Sequence, residues 1–183
     1  MLHQRKSTDI SSQEINLAIG HDQKAFLIKY NSLRTKWLKW IETMGDSNEG
    51  RLISTTLFQK ATPINFSIIS DNLQYFETHY PKDQGNEKNL YKALKVACLL
   101  GSREIGEFLL NKLEINFTSQ DNDFVFSYAC ASTNKDWVMD LARKMKEAGR
   151  EIPNGVYLFC NDTDLLETIK KIFKSQQVKS NFI

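Results

Sequence analysis

The sequence predicts an all-α chain: an N-terminal helical region followed by stacked helical hairpins. Three observations predict it. Apolar residues recur at spacings of three and four through most segments. Strand-like residues are few: Phe117, Phe124, Val125 and Phe126 have no partner segment with period-two alternation. Finally, "ACLLGSREIGEFLL" and "ACASTNKDWVMDLA" open on Ala97-Cys98 and Ala129-Cys130, 32 residues apart. Periods of that size mark helical hairpins, each unable to bury its apolar face alone.

Taken in order, Ser11 and Glu14 fit a capping box that opens a helix running to about Met44. Along it Phe26, Tyr30, Leu33, Trp37, Trp40 and Met44 step by four and three, which places their side chains on one face. Lys24, Lys29, Arg34, Lys36 and Lys39 occupy the opposite face, as expected for a core stripe backed by a solvated one. "GDSNEG" at 45–50 ends this helix. A short apolar helix from Arg51 is closed by Pro63. The next segment presents Ile64, Ile68, Leu73, Phe76 and Tyr80 as core positions. "PKDQGNEKN" at 81–89 reads as a loop and "PNG" at 153–155 as a turn. "DLLETIKKIF" is a final amphipathic helix, and a polar tail follows. The domain reading is a helical cap region over 1–60, helical repeats over 61–175 and a tail over 176–183, forming a single compact unit.

At the 32-residue step Cys98 meets Cys130, Ile105 meets Trp137 and Leu109 meets Leu141. Stepping back from Ile105 and Phe108 lands on Leu73 and Phe76. The segment 97–110 resembles the ankyrin repeat. Ala97 and Cys98 fill its small pair, and Gly101 its turn. Glu104 and Ile105 begin its second helix, and Leu109 and Leu110 end it. Asn116 stands at the family's loop asparagine, and Asn122 where a glycine is usual; Gly101 and Asn122 both suit a left-handed turn. The chain also departs from the pattern. "KALK" at 92–95 and "FVFS" at 124–127 replace the opening Thr-Pro-Leu-His. A residue is missing near Leu113, where a glycine is expected, and about four extra residues, roughly one helical turn, precede Gly149. Aligning Leu165 with Trp137 puts Tyr157 and Leu158 at the small pair and leaves Cys160 out of register. The match is best over 92–152 and weak at 64–89 and 156–174.

Composition narrows the function. With 183 residues, the chain buries roughly 70% of the surface its unfolded form exposes. Its 24 basic and 22 acidic residues balance to +2, which argues against a dedicated nucleic-acid binder. No apolar run reaches the ~20 residues of a membrane span. The first residues lack the apolar core of a signal peptide, so the expected location is the cytoplasm, or a host cell reached without such a signal. The three cysteines, Cys98, Cys130 and Cys160, form no CxxC pair and lie far from the three histidines, which suits buried reduced thiols better than a zinc site.

No nucleophile, phosphate-binding or zinc-protease motif occurs, so neither an enzyme nor a cofactor is expected. His21-Asp22 comes nearest to a catalytic pair, but adjacent helical side chains point about 100° apart. His79, beside Pro81, suits a capping role at a helix end. The ankyrin resemblance instead implies a protein-binding scaffold whose partner is another protein. Its contact residues would be Lys92, Lys95 and Leu99 in one unit and Asp121, Asn122, Asp123, Phe124, Tyr128 and Ser132 in the next. Tyr and Phe would anchor the partner, while Asp and Lys set its orientation. An adaptor, a competitive inhibitor, or a bacterial or viral effector all fit that role. Two alternatives remain open: an enzyme with its site in the N-terminal helices, and nucleic-acid binding through Lys24–Lys39.

Overall fold

The structure is a computed structural model that describes residues 12–44, 47–59, 62–80 and 86–174; all regular structure among them is helical. Ser11 of the capping box, the Met44 side chain, most of the 81–89 loop and the 175–183 tail lie outside the described residues. The chain forms two compact units, Met1–Tyr80 and Pro81–Ile183. The sequence reading instead draws a boundary at residue 60 within one compact unit.

In the first unit the single long helix is broken into α1 (Ser12–Ala18) and α2 (Gln23–Met44). Gly20 and His21 both take left-handed backbone, at φ 73° and 62°. Asp22 then restarts the helix by accepting the Ala25 amide at 2.9 Å. The aromatic stripe of α2 is inward as expected. Phe26, Leu33, Trp37 and Trp40 are buried, and the half-buried Tyr30 donates its hydroxyl to the Leu57 carbonyl at 2.6 Å.

Helix α3 (Asn48–Ser54) starts earlier than Arg51, because the Ser47 hydroxyl accepts the Gly50 amide at 3.0 Å, and it runs into a π-helical turn at Thr55–Gln59. Pro63 opens the next helix: it is the first residue of α4 (Pro63–Ser70), where a missing N–H is no loss, with Thr62 as the cap. Asp71, at φ 59°, ends α4, and Asn72 caps α5 (Leu73–His79). Asn72 also donates to the Leu17 and Ala18 carbonyls at 2.9 and 3.1 Å, which satisfies the open end of α1. Helix α4 packs on α1, α2 and α5. Ile68 and Phe76 are buried as expected, whereas Ile64, Leu73 and Tyr80 are only partly covered.

The second unit contains α6 (Glu87–Leu100), α7 (Arg103–Lys112), α8 (Asp123–Ala129), α9 (Lys135–Glu147), α10 (Asn154–Phe159) and α11 (Thr163–Lys174). "PNG" begins a helix, since Pro153 is the N-cap of α10. Helix α8 packs against α6, α9 and α10, while α6 also packs on α7 and α9 on α11.

The caps explain the 32-residue step. Ser102 and Asn134, 32 apart, are the N-caps of α7 and α9. Asp162 takes the corresponding place before α11, accepting the Leu165 amide at 2.9 Å. Three and seven residues beyond these caps stand Ile105 and Leu109, Trp137 and Leu141, and Leu165 and Ile169, all buried. The step fails for α5, whose cap Asn72 lies 30 residues before Ser102. Leu73 therefore opens its helix half-buried, unlike Ile105.

Ala97 and Ala129 are both fully buried, but α6 continues to Leu100 and closes on Gly101 at φ 73°, whereas α8 stops at Ala129. The Asn134 side chain donates to the Gly101 carbonyl at 3.0 Å, and a Cβ at Gly101 would lie 3.0 Å from Asn134 and Ser132. Gly101 thus serves both its own turn and the approach of the next hairpin. Asn122 is not left-handed: its φ is −99°, and its side chain donates to the Asn116 carbonyl at 2.9 Å. The left-handed residue after α7 is Glu114, at φ 49°, close to where a glycine is expected. Helix α9, at 13 residues against 10 in α7, absorbs most of the extra turn before Gly149.

Candidate interaction surface

Helices α6, α8 and α10 carry a connected row of rings. Tyr91 of α6 lies 6.3 Å from Phe124, which lies 5.8 Å from Tyr128; Tyr128 meets Phe159 edge-on at 5.0 Å. Helical spacing places Phe124 and Tyr128 one turn apart on α8, and the close packing of its neighbours extends the row across three helices. Lys95 of α6 stands over the Phe124 ring, with Nζ 5.4 Å from the centroid, within range of a cation–π attraction.

Of the residues that the sequence singles out, Lys95, Phe124 and Tyr128 come together in this row. Lys92 is exposed on α6. Asp121, Asn122 and Asp123 form the tip that leads into α8. Asp121 is exposed, with its amide donating to Ser119 Oγ at 3.3 Å. Asp123 is engaged by Arg150, whose Nη2 lies 3.1 Å from both carboxylate oxygens, while Nη1 donates to the Thr118 carbonyl at 2.8 Å. That fork ties the tip before α8 to the turn after α9. Beside it lies a depression of about 390 Å³, lined by Gln120, Asp123, Arg150, Pro153 and Asn154 among others.

Leu99 does not belong to this surface. It is fully buried, because α6 is covered by both α7 and α8. Ser132 is buried too; its Oγ accepts the Asn134 amide at 3.2 Å and shapes the turn before α9. Tyr128 is nearly covered, so it supports the row from beneath more than it offers surface. Sequence reasoning missed Tyr91 and the exposed pair Tyr157 and Leu158 of α10, which keep 50% and 65% of their surface. Reading "PNG" as a turn hid the helix that presents them.

In the first unit His21 and Asp22 are not on a helix: they form the turn between α1 and α2, where Asp22 is a cap. His79 ends α5, with Nδ1 3.0 Å from the Tyr75 carbonyl and its ring stacked on Tyr75 at 3.9 Å. On the basic side of α2, Lys24, Arg34 and Lys39 are exposed, whereas Lys29 is half-buried, and desolvation pulls its ammonium below the usual lysine range. Among the described residues no three His, Cys, Asp or Glu side chains group as metal ligands, and no helix is long and apolar enough to cross a membrane. No protein-family model, curated protein or solved structure matches the chain.

Proposed function

We propose that the second unit is an ankyrin-like stack of three hairpins, α6–α7, α8–α9 and α10–α11, and that it works by binding another protein through its inner helices and loop tips. The observation that carries this reading is the ring row from Tyr91 through Phe124 and Tyr128 to Phe159, with Lys95 above it. Tyr91 and Phe124 are half-buried and held by the buried Tyr128 and Phe159, and rings held rigid in this way are good anchors, since little side-chain entropy remains to be lost on binding. Lys92, Lys95 and Asp121 surround them with charge that can set a partner's orientation. The repeated cap-and-core pattern at Ser102, Asn134 and Asp162 supports the stacking, and the packing of α8 between α6 and α10 agrees with it. On this reading the chain acts by occupying a partner's surface, as an adaptor, inhibitor or effector does, with no chemical step and no cofactor.

The test is affinity capture with three proteins: wild type, Lys95→Glu/Phe124→Ala, and Lys171→Glu on α11 as a control. A protein retained by wild type and control and lost by the double variant, with unchanged circular dichroism, supports the reading. An identical retained set for all three folded proteins overturns it.

A further inference from the structure

Two of the three cysteines end neighbouring helices. Cys130 directly follows α8 and Cys160 directly follows α10. These neighbouring helices pack so closely that a Cβ at Gly155 would lie 2.6 Å from Ser127 Oγ. The rings of Tyr128 and Phe159, near the two cysteines, meet at 5.0 Å, the two thiols are close enough to shift each other's titration, and Cys160 Sγ lies 3.4 Å from the Asp162 carbonyl. The Asp162 carboxylate is in turn bridged to Lys135 at 2.6 Å, so an ion pair lies near Cys160. We propose that Cys160 and Cys130 are a modification site, at which a hydroperoxide oxidises Cys160 and Cys130 then closes a disulfide. This inference stands apart from the binding reading above.

The chemistry assigns distinct roles. Cys160 is the attacking sulfur. It is the more exposed of the two, and its thiol is pulled below the ordinary value, first by the neighbouring Cys130 thiol, which favours the reactive thiolate. The neighbouring Cys160 thiol, with burial, pushes the Cys130 thiol up. Exposure follows the same order: Cys160 keeps 8% of its surface, Cys130 3% and Cys98 none. In the first step the Cys160 thiolate attacks an oxygen of the hydroperoxide and the O–O bond breaks. Sulfur gains the hydroxyl and is oxidised to sulfenic acid, while the other oxygen leaves with a proton as water or alcohol. In the second step the Cys130 sulfur attacks Cys160. The S–O bond breaks, the hydroxyl takes the Cys130 proton and departs as water, and the S–S bond forms. Two thiols and one hydroperoxide give one disulfide, one water and one water or alcohol. Because the two residues end packed helices, side-chain movement is what has to bring the sulfurs to the S–S length of about 2.05 Å. Cys98, deep in α6, is the internal control: burial first, then the nearby Glu107, raise its thiol well above the ordinary value.

The test uses the full reduced chain under native conditions, treated with one equivalent of hydrogen peroxide, then alkylated and mapped by mass spectrometry. The expected result is a Cys130–Cys160 cross-linked peptide, reversed by dithiothreitol, with Cys98 recovered alkylated. In Cys130→Ser, dimedone should label Cys160, because its sulfenic acid lacks a resolving thiol. Alkylation of the untreated protein should be at least about tenfold faster at Cys160 than at Cys98. If oxidised wild type yields no Cys130–Cys160 peptide, or as many cross-links to Cys98, the proposal is overturned. The wild-type map decides the matter even if the serine variant fails to fold.

Discussion

Trp137 Nε1 donates to Glu107 Oε1 at 2.8 Å, and the same indole ring fills the space where Gly106 has no side chain. The carboxylate is held from its other side by Lys144 Nζ, 2.8 Å from Oε2. Arg103 bonded to Asp140 at 2.6 Å makes a parallel link. Helices α7 and α9 therefore meet through one fitted ring with polar contacts around it.

Gly106→Ala tests the fit. Alanine gains about 1 kcal/mol of helix propensity over glycine, but its methyl would overlap the Trp137 ring, and overpacking costs about 1–3 kcal/mol. The expected outcome is a net loss in urea denaturation that turns into a gain in a Trp137→Leu background. A stabilising Gly106→Ala in the wild-type chain would show that the ring moves aside freely. Gly149→Ala meets no neighbouring atom and should cost only its left-handed backbone, about 1 kcal/mol.

The buried tryptophans Trp37 and Trp137 separate packing from hydrogen bonding. Both are fully buried, but among the described residues Trp37 Nε1 has no hydrogen-bond partner. Changing either to phenylalanine removes similar ring volume. Trp137→Phe also breaks a bond to a carboxylate, worth about 1–3 kcal/mol, whereas Trp37→Phe deletes an unpaired donor. Trp137→Phe should therefore be the more destabilising by about that amount in thermal unfolding. Equal losses would refute the distinction.

Asp162 couples the start of α11 to pH. Its carboxyl sits below the ordinary range, chiefly through the hydrogen bond from Lys135 and then through the Leu165 amide. A folded value below the unfolded one means that the stabilisation is present above the unfolded carboxyl value of about 3.9. It is lost as pH falls through the folded value. Asp162→Asn keeps an acceptor for the Leu165 amide and loses the titration. Unfolding midpoints measured from neutral pH downwards should fall more steeply in acid for wild type than for the variant.

Arg150→Lys probes the tip that leads into α8. A lysine cannot both fork onto Asp123 and reach the Thr118 carbonyl. The segment 113–122 should then be cut sooner in limited proteolysis, with the far-ultraviolet spectrum unchanged. Equal cleavage times would mean that the arginine does not hold the tip.

Local pattern by itself determined the helical class, the aromatic stripe of α2 and the 32-residue correspondence between α7 and α9. Each depends on side chains close together along one helix, or on caps that act within a turn. Single residues with two local readings were decided by tertiary structure. Gly20 and His21 break a helix because Asn72 of a later helix takes up the carbonyls freed at the end of α1. Pro153 starts a helix where a turn was expected, because α10 packs onto α8. The placement of Leu99 in the interior and of Tyr91 beside Phe124 depends on which helices become neighbours. The same holds for the meeting of Cys130 with Cys160, since side chains remote in sequence share surroundings only after the helices have packed.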